Sequence, residues 1–385
     1  MEKSKFIPYG RQEVTQEDID AVIQTLKSDF LTQGPAVPLF EQKLCSYTGA
    51  RYSVAVNSCT SALHIACLAL GLGPGDILWT SPITFVASAN CALYCGATVD
   101  FVDVEPDTAL MSVEKLKEKL EQADKKGNLP KIVIPVHFAG QSCDMKEIHE
   151  LSKRYGFKVI EDAAHAIGAK YQNEAVGNCK YSDITVFSFH PVKIITTGEG
   201  GAVMTNNRQL SEKLELLRSH GITRDISKMI GKPDGPWYYE QIQLGFNYRM
   251  TDIQAALGCS QLERLDQYVL RRSEIAKWYD IQFKNMPITV LKEKKDRTSS
   301  HHLYVIRVSN IRKQLYQFLI DNGIGVNVHY IPVSKHSFYK KNYDNKVFHN
   351  SESYYNETIT LPLNYLINNS ELEFIVSKVG DFLNN

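Results

Sequence analysis

Ile184-Thr185-Val186-Phe187-Ser188-Phe189-His190-Pro191-Val192-Lys193-Ile194-Ile195-Thr196-Thr197-Gly198-Glu199-Gly200-Gly201 is the stretch on which the reading of this 385-residue chain turns. Its first six residues are mostly apolar and β-favouring, which predicts a buried strand over 184–189. Pro191 cannot donate to a sheet ladder, so regular structure ends before it. Lys193 therefore falls just past a strand terminus, with Val192, Ile194 and Ile195 as neighbours. Apolar surroundings disfavour the ammonium form and leave a nucleophilic amine. An aldehyde cofactor held as an imine needs such an amine. A solvated surface position is the commoner fate of a lysine, so the rest of the chain has to decide.

Upstream, apolar runs alternate with amphipathic ones. Strands are expected at 53–56, 76–79, 98–102, 131–136 and 157–160, and helices at 62–70, 85–94, 113–125 and 145–155. Several strands lack polar alternation, which implies an α/β fold with a mainly parallel sheet covered on both faces. Ligands of such sheets bind beyond the carboxyl ends of the strands. Four segments fall there: 57–61, 81–85, 162–165 and 188–193. Downstream, a strand at 202–205 and a helix at 210–219 precede an irregular, Gly-, Pro- and aromatic-rich segment, 220–250. Residues 1–35 read as an arm carrying a helix capped at Thr15, and a second helix covers 37–47. From about 256 the character changes to long helices (261–283) and a β-rich return at 303–308. Two domains are expected: an arm plus large domain over 1–255, and a smaller C-terminal α/β domain over 256–385.

Composition narrows the function. Forty-three basic residues balance 43 acidic ones, and no basic stripe offers a nucleic acid a surface. No apolar run is long enough to span a bilayer, and residues 1–10 lack a signal-peptide core. The eight cysteines form no Cys-x-x-Cys pair and no disulfide framework, which points to reduced thiols in a cytoplasmic protein. His301 and His302 are adjacent and would face opposite sides of a strand, and the other histidines show no ligand spacing. A catalytic metal is not expected.

Asn57-Ser58-Cys59-Thr60-Ser61 opens a helix with hydroxyls and backbone amides, which suits a phosphate as well as ordinary capping. Glu161-Asp162-Ala163-Ala164-His165 ends a buried strand with a carboxylate that needs a cationic or proton-donating partner. A pyridinium nitrogen would serve, and a helix cap is the plainer alternative. His165 is placed to reach a ring hydroxyl or to sit as a core histidine, and Phe85 to stack on a flat cofactor or to pack. A lysine, an aspartate and a hydroxyl-rich helix start in this order define one chemistry, pyridoxal phosphate held on Lys193.

The motifs Asn-Ser-Cys-Thr-Ser-Ala-Leu (57–63), Glu-Asp-Ala-Ala-His-Ala (161–166), Phe-Ser-Phe-His-Pro-Val-Lys (187–193), Glu-Gly-Gly (199–201) and Gly-Phe-Asn-Tyr-Arg-Met-Thr-Asp-Ile-Gln-Ala-Ala-Leu-Gly (245–258) resemble those of the sugar-nucleotide aminotransferases of the DegT/StrS type, fold-type I pyridoxal-phosphate enzymes. The resemblance runs from Tyr9 into the C-terminal domain. Stretches 195–201, 219–225 and 236–241 look like the pseudaminic-acid branch. Members of that branch aminate C4 of UDP-2-acetamido-2,6-dideoxy-β-L-arabino-hexos-4-ulose with L-glutamate. The resemblance implies Lys193 as the cofactor's attachment point and proton shuttle, Asp162 on the pyridine nitrogen, and His165 on the phenolic oxygen. It further implies that Thr60, the Cys59 amide and Ser188 hold the phosphate, and that Asn247 reaches the cofactor phosphate of a partner subunit, making a homodimer part of the site. Tyr9, Leu31, Thr32, His329 and Tyr330 match segments that contact the nucleotide-sugar. Cys59 stands where relatives often carry a smaller residue. Arg224 and Arg249 are candidates for the glutamate carboxylate. Relatives that deoxygenate the sugar replace the lysine by histidine, which this chain does not. A non-catalytic nucleotide binder is the reading from another class, but Gly198-Glu199-Gly200-Gly201 does not match the Gly-x-Gly-x-x-Gly that such a binder places before a helix.

Overall fold

A computed structural model describes residues 6–343 and 346–384. At its centre lie β1 (Tyr52–Val56), β2 (Ile77–Thr80), β3 (Thr98–Phe101), β4 (Ile132–Ile134), β5 (Lys158–Asp162), β6 (Ile184–Ser188) and β7 (Gly201–Thr205). They form one sheet in the order β1-β7-β6-β5-β4-β2-β3. The pairs from β6 through β3 are parallel. β7 runs antiparallel to both of its neighbours, so the sheet is mainly, not wholly, parallel. The reversal follows from connectivity: between β6 and β7 the chain has only the loop carrying Lys193, too short for a crossover helix.

Alternation across the pleat puts successive residues on opposite faces. Val186 of β6 packs with Leu63, Ile65 and Ala66 of helix α3 (Cys59–Ala69), while Phe187 packs with Phe40 and Leu44 of α2 (Ala36–Thr48). α3 begins three residues earlier than its apolar pattern indicates, because Ser58 caps it by accepting from the Ser61 amide at 3.1 Å. The long helices expected in this region are α8 (Asp252–Leu262) and α9 (Leu265–Phe283), with Glu263 and Arg264 between them. Arg264 turns its guanidinium back to Asp18, with Nη2–Oδ1 at 2.6 Å.

That ion pair corrects the expectation of a free arm. Asp18 of α1 (Gln16–Leu26) is fully buried and accepts from Gln261 at 2.6 Å as well, so α1 is docked on α8. Earlier still, Ile7 is buried and bridges to Ile324. A second core surrounds the antiparallel sheet of β8 (Thr289–Val290), β9 (Tyr304–Arg307) and β10 (Thr358–Leu361), where Tyr279, Phe283, Ile306, Leu319 and Ile359 meet. Within the irregular segment 220–250, Ile222–Thr223 pairs with Glu240–Gln241 as a short antiparallel ladder. No helix among the described residues is long and apolar enough to cross a membrane.

Candidate active site

The ends of three strands meet at Gly201. It pairs with Val56 of β1 on one side and with Ser188 of β6 on the other. A Cβ here would lie 2.7 Å from the Cys59 nitrogen and from the Ser58 carbonyl carbon and oxygen, all of them backbone atoms that cannot step aside. Glycine is therefore required for β7 to approach the start of α3. Gly200 faces side chains instead, those of Thr197 and Met250, whose ends can shift. This close approach gives the Glu-Gly-Gly motif a steric reason. It brings Ser188, Cys59 and Thr60 to one place. In α3 the Ser61 amide is taken by the Ser58 cap and the Ala62 amide by the Ser58 carbonyl. The Cys59 and Thr60 amides, the first two of the helix, have no acceptor among the described residues. Two free donors at a helix N-terminus, with the positive end of its dipole behind them, fit a phosphate.

Asp162, the last residue of β5, is buried. Ser88 of α4 (Ala87–Tyr94) donates to its Oδ2 at 2.6 Å, and the Ala164 amide donates to Oδ1 at 3.1 Å. Thr84 and Ser88 are themselves bonded at 2.8 Å. The partner that Asp162 was expected to need is in part this hydroxyl, which sequence reasoning missed. Its signal was a serine on the inner side of a helix otherwise rich in alanine. Glu161 points to the opposite face. Burial works against its carboxylate, but His137 at 2.7 Å, Ser182 at 2.6 Å and Thr185 at 3.0 Å hold its pKa below the ordinary value. His137 has its proton on Nε2, because its Nδ1 accepts from the Cys143 amide at 3.2 Å.

Lys193 lies in the loop after β6, in a turn closed by its own amide donating to the His190 carbonyl at 2.8 Å. The side chain keeps some access to solvent. Its packed surroundings still strip enough water from the amine to pull the pKa down to about 8, and Cys59 and Asp162 only partly offset this. About a tenth of the amine is thus neutral at pH 7, far more than for a lysine of ordinary pKa.

The opposite wall is aromatic and imidazole-rich. His165 is buried, and its Nε2 lies 3.0 Å from the Tyr330 hydroxyl. Burial, reinforced by Lys193 and His329, pushes the His165 pKa far below the usual histidine range. Burial likewise lowers His329 to about 3, and its Nδ1 is 2.8 Å from the Thr360 hydroxyl. Tyr9 faces His329 with ring centres 5.5 Å apart. Phe85 is 59% exposed at the mouth, 6.5 Å from the Tyr330 ring. Of the residues read from the sequence, Cys59, Thr60, Asp162, His165, Ser188, Lys193, Tyr9, His329 and Tyr330 gather here. Leu31 and Thr32 lie at the start of α8, where the Leu31 carbonyl accepts from the Asp252 amide at 3.0 Å and Thr32 bridges to Thr251. Asn247 is placed by its backbone, whose carbonyl accepts from the Asn57 side chain at 3.5 Å.

The model of the DegT/DnrJ/EryC1/StrS aminotransferase family matches residues 12–380. The chain belongs to that family. It is accordingly an aminotransferase, and its cofactor is pyridoxal phosphate. Among relatives, the UDP-4-amino-4,6-dideoxy-N-acetyl-beta-L-altrosamine transaminase of Campylobacter jejuni is 40% identical over 374 residues, covering 96% of this chain and 95% of that one. The spore coat polysaccharide biosynthesis protein SpsC of Bacillus subtilis is 37% identical, over 99% of this chain and 98% of its own. The structure of Helicobacter pylori PseC, described as an aminotransferase involved in the biosynthesis of pseudoaminic acid, superposes with a TM-score of 0.91 at 32% identity. That match covers 99% of this chain and all of the other. The residues present fit the family's cofactor. The two free amides at Cys59 and Thr60, the glycine-lined approach at Gly201, the buried Asp162 carboxylate and the pKa-lowered Lys193 amine suit its phosphate, ring nitrogen and aldehyde in turn.

Proposed function

We propose that this aminotransferase moves the amino group of L-glutamate to the C4 ketone of UDP-2-acetamido-2,6-dideoxy-β-L-arabino-hexos-4-ulose. The products are UDP-4-amino-4,6-dideoxy-N-acetyl-β-L-altrosamine and 2-oxoglutarate, a step of pseudaminic acid biosynthesis. The observation that carries the chemistry is the Lys193 amine, lowered to about pH 8 beside Asp162 at the strand ends. The choice of sugar leans on the likeness to the Campylobacter transaminase.

Each residue has a task in this reading. The amides of Cys59 and Thr60, with the hydroxyls of Thr60 and Ser188, bind the cofactor phosphate. The Asp162 carboxylate, held by Ser88, keeps the pyridine nitrogen protonated, and His165 faces the phenolic oxygen. Phe85 covers the ring. When bound, pyridoxal phosphate takes up the electron pair left at the substrate carbon and carries the amino group from one substrate to the other. Lys193 is its point of attachment. With glutamate bound, the neutral Nζ of Lys193 would take the proton from the glutamate Cα, and with the sugar bound it would return a proton to C4. A lysine protonated throughout could not do this, which is why the loss of water around Nζ matters. Tyr9, Leu31, Thr32, His329 and Tyr330 bind the nucleotide-sugar.

A homodimer belongs to the same reading, with Asn247 reaching the partner's cofactor phosphate. The segment leading to Asn247 supports it, since Ile230 is 85% and Leu244 76% exposed, a cost in water that a second copy would remove. The division into 1–255 and 256–385 is supported by the separate core around β9. A cytoplasmic location is supported by eight free thiols. The likeness to SpsC favours a second reading, the same transfer onto a different nucleotide-linked 4-keto-6-deoxy sugar.

Spectral titration distinguishes the two. Glutamate added to the cofactor-loaded protein should bleach its visible band, and the arabino-hexos-4-ulose should restore it with release of the altrosamine product. Restoration only by another UDP or dTDP 4-keto sugar would establish the second reading. Failure of glutamate to bleach the band would refute both.

A further inference from the structure

His64 stands one residue past the motif that opens α3, and the amino-transfer reading gives it no task. It is buried, about one helical turn beyond Thr60. Its ring meets those of Phe246 and Tyr248 with centres 4.8 and 5.9 Å apart, and its Nδ1 lies 3.2 Å from the Tyr248 hydroxyl. Phe246 and Tyr248 are themselves stacked, with centres 4.9 Å apart and planes 13° from parallel. The residue between them is Asn247.

The strip that carries these three residues is tied by its backbone on both sides. The Phe246 amide donates to the Leu217 carbonyl at 2.7 Å and the Tyr248 amide to the Arg218 carbonyl at 2.9 Å. The Tyr248 carbonyl accepts from the Asn57 amide at 2.9 Å, and antiparallel bridges join Ser219 to Asn247 and Val56 to Arg249. In such extended backbone, neighbouring side chains leave on opposite faces. With Phe246 and Tyr248 committed to α3, Asn247 is turned away from it, and Asn247 is exposed. A slip of one residue would exchange the faces and bring Asn247 inward. The two rings seated on His64 oppose that slip. Helix α3 thus offers its first amides to one phosphate and, a turn later, anchors the strip whose asparagine is read as reaching another.

We propose that His64 is a positioning residue acting across the dimer: by holding Phe246 and Tyr248 against α3, it aims Asn247 of its own chain at the cofactor phosphate in the other subunit. This deepens the amino-transfer reading and rests on the homodimer proposed with it. Loss of His64 should therefore weaken cofactor binding in the neighbouring site more than in its own.

Mixed dimers of two differently tagged chains test this. Lys193→Ala silences one chain, so cofactor fixed to Lys193 by borohydride, measured by mass spectrometry at rising cofactor concentration, reports only the site of the other chain. The reference dimer pairs a Lys193→Ala chain with an unaltered one. When a Lys193→Ala chain is paired with a His64→Ala chain, the reporting site draws Asn247 from a chain with His64 intact, and half-labelling should occur at the reference concentration. When both substitutions are on one chain, the reporting chain is unaltered but draws Asn247 from the altered one. The half-labelling concentration should then rise about tenfold. Tyr248→Phe keeps the ring and loses only the hydroxyl; it should give the same one-sided pattern with a smaller shift, and decides alone if His64→Ala does not fold. A shift confined to the altered chain's own site, equal shifts in both arrangements, or no shift in either would each overturn the proposal. Asn247→Ala in the same two arrangements tests the reading beneath it. If that variant leaves the neighbouring site unweakened, the role of Asn247 across the dimer falls and the proposal with it. If it weakens that site while His64→Ala does not, the proposal alone falls.

Discussion

The two walls of the site are built on different principles. On the strand-end wall, each polar group is served by residues close to it in the sheet or the adjoining helix. Asp162 has Ser88 and the Ala164 amide, the α3 start has its Ser58 cap, and Lys193 sits in a turn of its own loop. On the imidazole wall, His165 meets Tyr330 and His302, which lie more than a hundred residues further along the chain, and Nδ1 of His165 and Nδ1 of His302 have no partner among the described residues. In the proposed reading the first wall carries charge and reaction, while the second is a group of buried rings placed by distant segments. Charge that must change during a reaction is kept where local hydrogen bonds can support it. Orientation is supplied by rings that need not titrate.

That contrast predicts a ranking of effects. Lys193→Ala should lower turnover by at least about a thousandfold, with the thermal melt nearly unmoved, as read by product assay and calorimetry. Retained activity would erase the distinction between the walls. Next is pH. The Lys193 pKa is about 8, lowered chiefly by burial, so the neutral amine falls about tenfold for each pH unit below that value. The rate at which apoprotein captures the cofactor covalently should therefore rise by about fiftyfold from pH 6 to pH 8 and level off about twofold higher above that; a flat profile across that range would place the reactive amine elsewhere. Gly201→Ala should weaken cofactor binding by tens of fold, since the added methyl pushes the Cys59 amide out of line, and should destabilise the fold by about 1–3 kcal/mol. Unchanged binding in a fluorescence titration would show that α3 does not hold the phosphate. Ser88→Ala is expected to be the mildest on this wall, a loss of about threefold to tenfold in kcat as Asp162 loses one hydroxyl. An unchanged kcat would show that the Ser88 hydroxyl does not support the carboxylate.

The strand-end wall was legible in the sequence because its signals are short-range. A proline after an apolar run, hydroxyls before a helix and a carboxylate at a strand end each announce their geometry within a few residues. Ser88 was not legible, because nothing near it shows that the carboxylate it meets is 74 residues away. His302 was read only as half of an adjacent pair with no metal spacing; its place against His165 depends on Gly140 and Arg272, which bring distant segments together. The docking of α1 escaped for the same reason. Asp18 looks like an ordinary first-turn acid until Gln261 and Arg264 fold over it. The strand β7 was legible but its antiparallel direction was not, since which backbone Gly201 approaches is a tertiary fact.

The central claim is that Lys193 bears the cofactor. Borohydride permanently fixes a lysine-bound aldehyde, so the loaded protein should be reduced, digested and mapped by mass spectrometry. The account predicts the cofactor on the peptide containing Lys193, with no comparable label on any other lysine. A label on a different lysine, or none at Lys193 in protein that shows the visible band, would contradict it.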